Sequence, residues 1–283
     1  MSKSRRLVFL EWLAAIQRND WQDAESFLAH DVIVNGDSLT RGEYIQKLKD
    51  DGFSAAILDT CIVDDEKPEI AARLLLPGPP PGTPLDADGE EWAEQSLFTI
   101  FGNKIAAVQT LSGANNSATS GPPINEAREG AASRAAKTSD LRRFYTEYID
   151  SINTLTMHAH FERFCQDFIT HNYISYGRDE YRAMIESSFE EISGLHFTIK
   201  SLIVNEEAQQ IAARLGFTGV PIKEFRGIAP TGNAVRFSEH AFYQLEEGRI
   251  KQVWSLLDLA AYQACMASHQ NANGPANYSS NVY

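Results

Sequence analysis

The residues best suited to chemistry lie near the C-terminal end of the chain, in two apolar runs joined by a short turn. The runs cover residues 235–245 and 249–258, and the Glu-Gly pair between them is a strong signal for a β-hairpin. If the ladder is regular on both sides of this turn, Glu239, Trp254 and Asp258 lie on one face. The spacing therefore predicts two carboxylates on one wall, about 7–8 Å apart between backbones.

Two carboxylates on an aromatic wall are suited to exchanging protons with a bound molecule. Phe237 and Tyr243 share the predicted face, so the surroundings are apolar. Desolvation and like charge both raise the pKa of a carboxyl, which lets one group act as general acid and the other as base. The alternative is that Asp258 caps the strand end or the following turn, while Glu239 pairs with an arginine such as Arg226.

His240 is a second candidate for the partner of Asp258. It follows Glu239 and points to the opposite face of a regular strand, but a one-residue bulge would exchange the two side chains. A histidine titrates near neutral pH and is a suitable proton carrier. The competing interpretation of His240 is a partly buried side chain bonded to backbone.

An internal repeat supplies the elements that position these residues. The five residues Ile70–Leu74 recur unchanged as Ile211–Leu215. Further matches follow in order, with an offset that grows from 136 to 145: Glu11 with Glu147, Trp12 with Tyr148, Asn35 with Asn172, Glu94 with Glu239, and Leu111 with Leu256. The chain therefore reads as two diverged copies of one small unit.

Composition divides the chain into four parts. We predict a first unit at 1–112, a linker at 113–138, a second unit at 139–268 and a flexible tail at 269–283. The linker begins with a stretch rich in Gly, Ser, Asn and Pro that lacks apolar periodicity, and the tail is polar.

Apolar periodicity in the second copy predicts helices first and strands afterwards. The expected helices cover 140–153, 157–167 and 178–191, and the expected strands cover 195–204, 209–217, 235–245 and 249–258. Helices packed on one face of such an antiparallel meander give an α+β fold.

The end of the second copy carries a recognisable set of motifs. A turn at Pro230-Thr-Gly232 precedes a strand, and Gly248-Arg-Ile250, Trp254 and Asp258 follow in order. In these motifs residues 217–262 resemble the SnoaL-like polyketide cyclases, and the resemblance covers most of residues 140–265. It implies a conical α+β barrel of the nuclear-transport-factor type with one deep apolar pocket, and hence two such barrels in tandem.

The resemblance also implies where the pocket lies. It places the strand from Trp254 to Asp258 along the pocket wall, and it places His171 in a segment where this fold opens its pocket. The first copy has Val34 at the position of His171. Tyr148 on the first helix is either a phenolic donor to a ligand or a core residue with a satisfied hydroxyl.

The first copy departs from the motifs that carry the resemblance. Gln109 stands where the second copy has Trp254, and Gly113 stands where it has Asp258. Prolines stiffen the loop at 77–90, which we expect to be exposed. We interpret the first copy as a structural or lid-forming half with a degenerate site.

Charge and cysteine content restrict the class of protein. A net charge of −13 argues against binding nucleic acid or anionic membranes. Three widely spaced cysteines and the lack of a secretory signal or a membrane-length apolar run favour a cytoplasmic protein. No metal-ligand spacing and no phosphate-binding glycine loop is present, so we expect chemistry without a cofactor.

These features give one leading hypothesis and two alternatives. The leading hypothesis is a cofactor-independent acid–base enzyme that closes a ring, isomerises or opens an epoxide on a small apolar, oxygenated polyketide- or terpenoid-derived substrate. The alternatives are a non-catalytic binder, whose pocket carboxylates would be neutralised by arginines, and a scaffolding protein. In each case we expect the two units to pack as a pseudo-dimer within one chain, leaving a monomer.

Overall fold

The computed structural model describes residues 4–64, 66–78, 91–114 and 137–267. These residues form two similar α+β units, called here the first domain (residues 4–114) and the second domain (residues 137–267). Most of the predicted linker, the proline-rich loop beyond residue 78 and the predicted tail lie outside the described residues.

The first domain contains three helices and a six-stranded sheet of order β2-β1-β6-β5-β4-β3. Its elements are α1 (Arg5–Gln17), α2 (Trp21–Ser26), β1 (Leu28–Val34), β2 (Asp37–Thr40), α3 (Arg41–Asp50), a 3-10 turn (Phe53–Ala55), β3 (Ile57–Val63), β4 (Glu69–Pro77), β5 (Glu91–Phe101) and β6 (Lys104–Ala114).

The second domain repeats this order and adds a C-terminal helix, and its sheet has the order β8-β7-β12-β11-β10-β9. Its elements are α4 (Leu141–Asn153), α5 (Met157–Phe164), β7 (Cys165–His171), β8 (Ile174–Gly177), α6 (Arg178–Glu191), β9 (Ile192–Asn205), β10 (Gln210–Pro221), β11 (Val235–Glu246), β12 (Arg249–Leu257) and α7 (Leu259–Ala267). None of the described helices is long and apolar enough to cross a membrane.

The α+β fold in two tandem units is confirmed, but each sheet is mixed rather than antiparallel. Strands β9 to β12 form the predicted meander, whereas β7 pairs with β12 in parallel. The hairpin of β7 and β8 was not predicted, because its turn residues Asn172 and Tyr173 give no glycine signal. Its presence also ends the preceding helix at Phe164, three residues before the expected boundary at 167.

Helix α4 shows how the sequence builds the core of the second domain. The side chain of Asp140 accepts a hydrogen bond from the Arg143 N–H at 2.9 Å, which caps the first turn. Phe144, Tyr148 and Ile152 then follow at helical spacing, and all are buried against the sheet.

A β-bulge in β12 decides which side chains face the helices. On the turn side of the bulge Leu245 pairs with Ile250, and beyond it Gln244 pairs with Gln252. Lys251 is therefore the extra residue, and every later side chain on β12 changes face relative to a regular ladder. The first domain has the same irregularity, since Ile100 pairs with Ile105 and Thr99 with Ala107.

The prediction that Trp254 and Asp258 share a face with Glu239 is wrong for this reason. Glu239 pairs with Leu257, and Trp254 pairs with Phe242. The regular ladder assumed in the prediction contains no extra residue between the turn and Trp254. With Lys251 bulged out, Val253, Ser255 and Leu257 take the face that holds Glu239.

The faces of the two sheets that lie away from the helices pack against each other. Their buried apolar contact contains residues of both domains: Ile62, Ala71, Leu97, Ile203, Ala212, Phe242 and Trp254. Ala71 and Ala212 occupy matching positions of the repeated five-residue segment, so the two domains contribute equivalent strands.

Polar contacts at one edge of this interface centre on Asp64. Its carboxylate accepts hydrogen bonds from the Val204 N–H at 3.2 Å and from the Arg142 guanidinium of the second domain. Burial raises the pKa of Asp64, but these hydrogen bonds and those from the Lys67 and Glu66 N–H groups outweigh it and lower the pKa overall.

Candidate active site

A cavity of about 100 Å³ lies between the helices and the sheet of the second domain. Its walls are mainly aromatic and aliphatic side chains from α4, α6 and β9 to β12. The polar side chains that reach it are Tyr148, His171, Tyr181, Ser188, Arg226, Glu239, Tyr243 and Ser255. A small number of polar groups on apolar walls is the usual composition of a small-molecule site.

Glu239 is the acidic side chain of this cavity. Its Oε1 accepts a hydrogen bond from the Ser255 hydroxyl at 2.6 Å, and among the described residues it forms no ion pair. Burial raises the pKa of Glu239 to about 7, although the Ser255 hydrogen bond and the charge of Arg226 act in the opposite direction. The carboxyl is therefore poised to gain or lose a proton near neutral pH.

Tyr148, Tyr181 and Tyr243 line the cavity, and their hydroxyls take part in two tyrosine–tyrosine contacts. The Tyr145 hydroxyl donates to the Tyr243 hydroxyl at 3.2 Å, and the Tyr148 and Tyr181 hydroxyls are 3.3 Å apart. Burial raises the pKa of these phenols above the ordinary value, so they remain neutral hydrogen-bond donors.

His171 ends strand β7 and faces the same cavity. Its ring centroid is 5.8 Å from that of Tyr181. Burial, with a smaller contribution from the charge of Arg226, lowers the pKa of His171 to about 4. The imidazole is neutral at physiological pH and can accept or donate one hydrogen bond.

Arg226 brings a positive charge to the cavity from a tight turn. Phe225 and Ile228 exchange two backbone hydrogen bonds of 3.0 Å, and Arg226 and Gly227 between them have φ of 52° and 78°. This turn aims the exposed guanidinium towards the cavity that also holds Glu239. The sequence argument treated Arg226 only as a salt-bridge partner, and the Arg-Gly pair between apolar residues is the signal that marks the turn.

Five of the residues predicted for the site line the cavity. They are Tyr148, His171, Phe237, Glu239 and Tyr243. Ser255 and Tyr181 were not predicted as site residues. Tyr181 was matched in the repeat with Tyr44 of the first copy but given no role, and Ser255 could be found only with the correct register of β12.

Asp258, His240 and Trp254 do not line the cavity, which corrects the predicted catalytic pair. Asp258 accepts a hydrogen bond from the Ala261 N–H at 3.0 Å and so caps helix α7, the alternative considered for this residue. His240 is buried with its Nδ1 2.8 Å from the Gln95 carbonyl oxygen of the first domain. Trp254 lies in the domain interface, where the Arg73 guanidinium is 4.4 Å from its ring centroid.

The corresponding region of the first domain carries apolar side chains at two positions that are polar in the second domain. Buried Trp12 and Val34 take the positions of Tyr148 and His171. Glu94, the counterpart of Glu239, accepts a hydrogen bond from Ser96 at 2.6 Å, and burial raises its pKa. Among the residues that the structure describes, neither domain brings together three His, Cys, Asp or Glu side chains in a group suited to a metal ion.

Comparison with known proteins places the second domain in a family. A family model described as SnoaL-like polyketide cyclase matches residues 139–264. A SnoaL-like polyketide cyclase from Agrobacterium tumefaciens strain C58 is 32% identical in sequence, and the match covers 45% of this chain and 98% of that protein, with a TM-score of 0.42. The chain belongs to the SnoaL-like polyketide cyclase family through its second domain.

Two further solved structures are similar over the same share of the chain. AclR from Streptomyces galilaeus is 16% identical and matches 45% of this chain and 95% of its own, with a TM-score of 0.38. TsrD from Streptomyces laurentii is 18% identical and matches 45% of this chain and 95% of its own, with a TM-score of 0.41. No curated protein matches the sequence.

Proposed function

We propose that the second domain is an acid–base enzyme that acts on a small, apolar, oxygenated molecule. The reaction class is ring closure, isomerisation or epoxide opening, and the substrate class is a polyketide- or terpenoid-derived compound. Family membership supports the general class of activity, and the side chains of the cavity support proton transfer as its chemistry.

One observation carries the proposal. Glu239 lies in an aromatic cavity without an ion-pair partner among the described residues, and its pKa is about 7. A general acid or base works best when its pKa is near the working pH. A binding protein gains nothing from leaving a carboxyl unpaired in an apolar pocket, because the desolvation is unfavourable.

The other polar groups have roles that follow from their charge. Below pH 7 Glu239 is protonated and can donate to a carbonyl or epoxide oxygen, and above pH 7 its carboxylate can remove a proton from carbon. We assign to Arg226 and the hydroxyl of Tyr181 the stabilisation of negative charge that develops on the substrate oxygen, because both line the cavity. We assign to neutral His171 the orientation of the substrate by one hydrogen bond.

The alternative is a protein that binds the same class of molecule without transforming it. That hypothesis predicts that arginines neutralise the carboxylates of the pocket. Arg226 is in the cavity, but it forms no ion pair with Glu239. We therefore favour catalysis over binding alone.

A chemical probe of the base tests the proposal. 5-Nitrobenzisoxazole loses its carbon-bound proton to a base, the electron pair forms a nitrile, and the nitrogen–oxygen bond breaks to give a coloured phenolate. We expect Glu239→Gln to reduce the rate of this reaction by about 10²–10⁴-fold, the usual contribution of a general base. Linear poly-β-ketones and terpenoid epoxides, followed by mass spectrometry, then identify the natural class of reaction.

Glu94→Gln is the matched control, because it makes the same change at the equivalent position of the first domain. Its probe rate should equal that of the wild type. Equal rates in wild type and Glu239→Gln would overturn the proposal, and an equal loss in both variants would place the chemistry elsewhere or in both domains.

A further inference from the structure

Tyr173 has a backbone conformation that its residue type disfavours. Its φ is 73°, and it follows Asn172 with φ of 45° in the turn between β7 and β8. The equivalent turn of the first domain is Asn35-Gly36, with φ of 53° and 99°. A left-handed conformation is strained for a bulky residue, and glycine avoids this strain. The side chain of Tyr173 must therefore make contacts that offset the strain.

One of these contacts reaches into the first domain. The Tyr173 hydroxyl accepts a hydrogen bond from Arg73 Nη2 at 2.7 Å, and its ring centroid is 4.4 Å from that of Trp254. Arg73 on β4 is buried, and its Nη1 is 2.9 Å from Asp59 Oδ2. The Arg73 guanidinium is thus fixed by Asp59 of its own domain while it binds the turn between β7 and β8 of the second domain.

The same turn positions two groups of the candidate active site. His171, which lines the cavity, immediately precedes the turn. The Asn172 side chain donates to the Ser255 carbonyl at 2.9 Å and accepts from the Ser255 N–H at 2.8 Å. Ser255 in turn donates its hydroxyl hydrogen bond to Glu239. A displacement of this turn would therefore reach both His171 and the partner of Glu239.

Among the described residues, the hydrogen bond from Arg73 to Tyr173 has no counterpart in the opposite direction. Arg214 is the counterpart of Arg73 in the repeat, but the corresponding turn of the first domain ends in Gly36, which has no side chain to receive it. The first domain thus binds the turn after His171 in the second domain, whereas the equivalent glycine turn of the first domain cannot be bound in this way by Arg214.

We propose that Arg73 of the first domain is a positioning residue for the pocket of the second, acting through the Tyr173 hydroxyl to hold the turn after His171. This assignment gives the first domain a part in the function of the second. The inference rests on the proposed function in one respect, that the cavity of the second domain is the active site.

The titration of the His171 imidazole, followed by NMR in the full chain, tests this proposal. The signal is identified by its loss in His171→Asn. Arg226, Glu239 and Tyr181 line the same cavity as this imidazole, and none of them is substituted in the variants below, so a change in the His171 titration is attributed to the turn. In the wild type His171 has a pKa of about 4 and stays neutral down to pH 5.5.

Tyr173→Gly makes the turn equal to that of the first domain and relieves the strain, so the variant is expected to fold. Without the hydrogen bond from Arg73, the imidazole of His171 becomes more accessible to water. We therefore expect its pKa to rise by about one unit or more towards 6.5. An unchanged titration in Tyr173→Gly would overturn the proposal.

Further variants separate positioning from a general structural effect. Tyr173→Phe keeps the ring but loses the hydrogen bond, and its effect should be non-additive with that of Arg73→Met. If Arg73→Met unfolds because Asp59 loses its ion pair with Arg73, Asp59→Asn combined with Arg73→Met removes that buried charge. Arg214→Met is the matched control and should leave the His171 titration unchanged.

Additive effects of Tyr173→Phe and the arginine change, or an equal shift in Arg214→Met, would contradict the assignment. Failure of the proposed function is distinguishable, because it would appear as an unaltered probe rate in Glu239→Gln while the His171 titration still responds to Tyr173→Gly.

Discussion

At the scale of single residues, the environment of Glu239 determines its chemistry. Aromatic side chains surround the carboxyl, and the removal of water favours its neutral form. The Ser255 hydroxyl at 2.6 Å and the charge of Arg226 favour the ionised form. Because burial is the larger effect, the pKa lies at about 7 rather than at the ordinary 4.5.

Ser255→Ala should raise the pKa of Glu239 further. The variant removes the hydrogen bond that stabilises the carboxylate, and a bond to a charged group contributes about 1.5 kcal/mol, or about one pH unit. The base form then appears at higher pH, so the midpoint of the pH–rate curve for 5-nitrobenzisoxazole should move upwards. A midpoint that stays in place or moves downwards would show that Ser255 does not tune this carboxyl.

Glu239→Gln should also change how stability depends on pH. A carboxyl with a raised folded pKa contributes stability that is present below 4.5 and is lost as the pH rises through about 7. The glutamine variant cannot ionise at this position, so it does not lose this stability as the pH rises. Relative to the wild type, its free energy of unfolding in urea should rise by about 3 kcal/mol between pH 4 and pH 8.

The surface variant Glu162→Gln serves as the control for this comparison, because its side chain is exposed on α5. A stability difference between Glu239→Gln and the wild type that stays constant across the pH range would contradict the raised pKa.

At the scale of elements, the β-bulge and the hairpin of β7 and β8 shape the site. The bulge at Lys251 turns Ser255 towards Glu239 and turns Trp254 towards the first domain. The hairpin then places His171 beside the cavity, and Asn172 fastens its turn to β12.

Asn172→Ala should loosen this fastening. It removes the two side-chain hydrogen bonds to Ser255 and puts alanine at a φ of 45°, which together should cost about 2–4 kcal/mol in the free energy of unfolding. Because Ser255 and His171 are then less well held, the rate with the benzisoxazole probe should fall as well.

Asn35→Ala is the matched control, because Asn35 makes the same two bonds to the Thr110 backbone. It should lower stability to a similar extent and leave the probe rate unchanged. An equal loss of rate in both variants would mean that the effect reflects global stability rather than the pocket.

Local signals predicted most of the elements but not the register of β12. Helix α6 was expected at residues 178–191, where it lies, because its apolar spacing is regular. Nothing in the residue type of Lys251 indicates a bulge. The resulting shift of one residue puts Ser255, rather than Trp254, on the face of β12 that holds Glu239. The hairpin turn Asn172-Tyr173 could have been found through the repeat, because Asn35-Gly36 is a strong hairpin signal.

At the scale of the whole molecule, two diverged domains form one unit through the outer faces of their sheets. Equivalent residues such as Ala71 and Ala212 belong to one apolar cluster, and Asp64 and Arg142 add a partly buried ion pair at its edge. The family resemblance, together with the repeat, led us to expect that the two units pack against each other. It did not predict that His240 and Trp254 lie in the interface, because that depends on which face of the sheet each side chain takes.

Asp64→Asn should weaken the contact between the domains in a pH-dependent way. Because the folded pKa of Asp64 is lowered, the carboxylate contributes stability that is present above pH 3.8 and is lost as the pH falls through its folded pKa. At pH 7 the variant should lose about 1–3 kcal/mol of the free energy of unfolding, measured in urea. The difference should shrink towards pH 3, and a constant difference would contradict the charged pairing with Arg142.

The ionisation of Glu239 in the intact protein tests the central claim most directly. The side-chain carboxyl carbon is followed by NMR in protein labelled with ¹³C at glutamate, and its signal is identified by its absence in Glu239→Gln. We expect a single titration with a midpoint at about 7, since burial in the aromatic cavity holds the proton. A midpoint near 4.5, the ordinary value for a glutamate, would contradict the account of Glu239 as the acid–base group of this pocket.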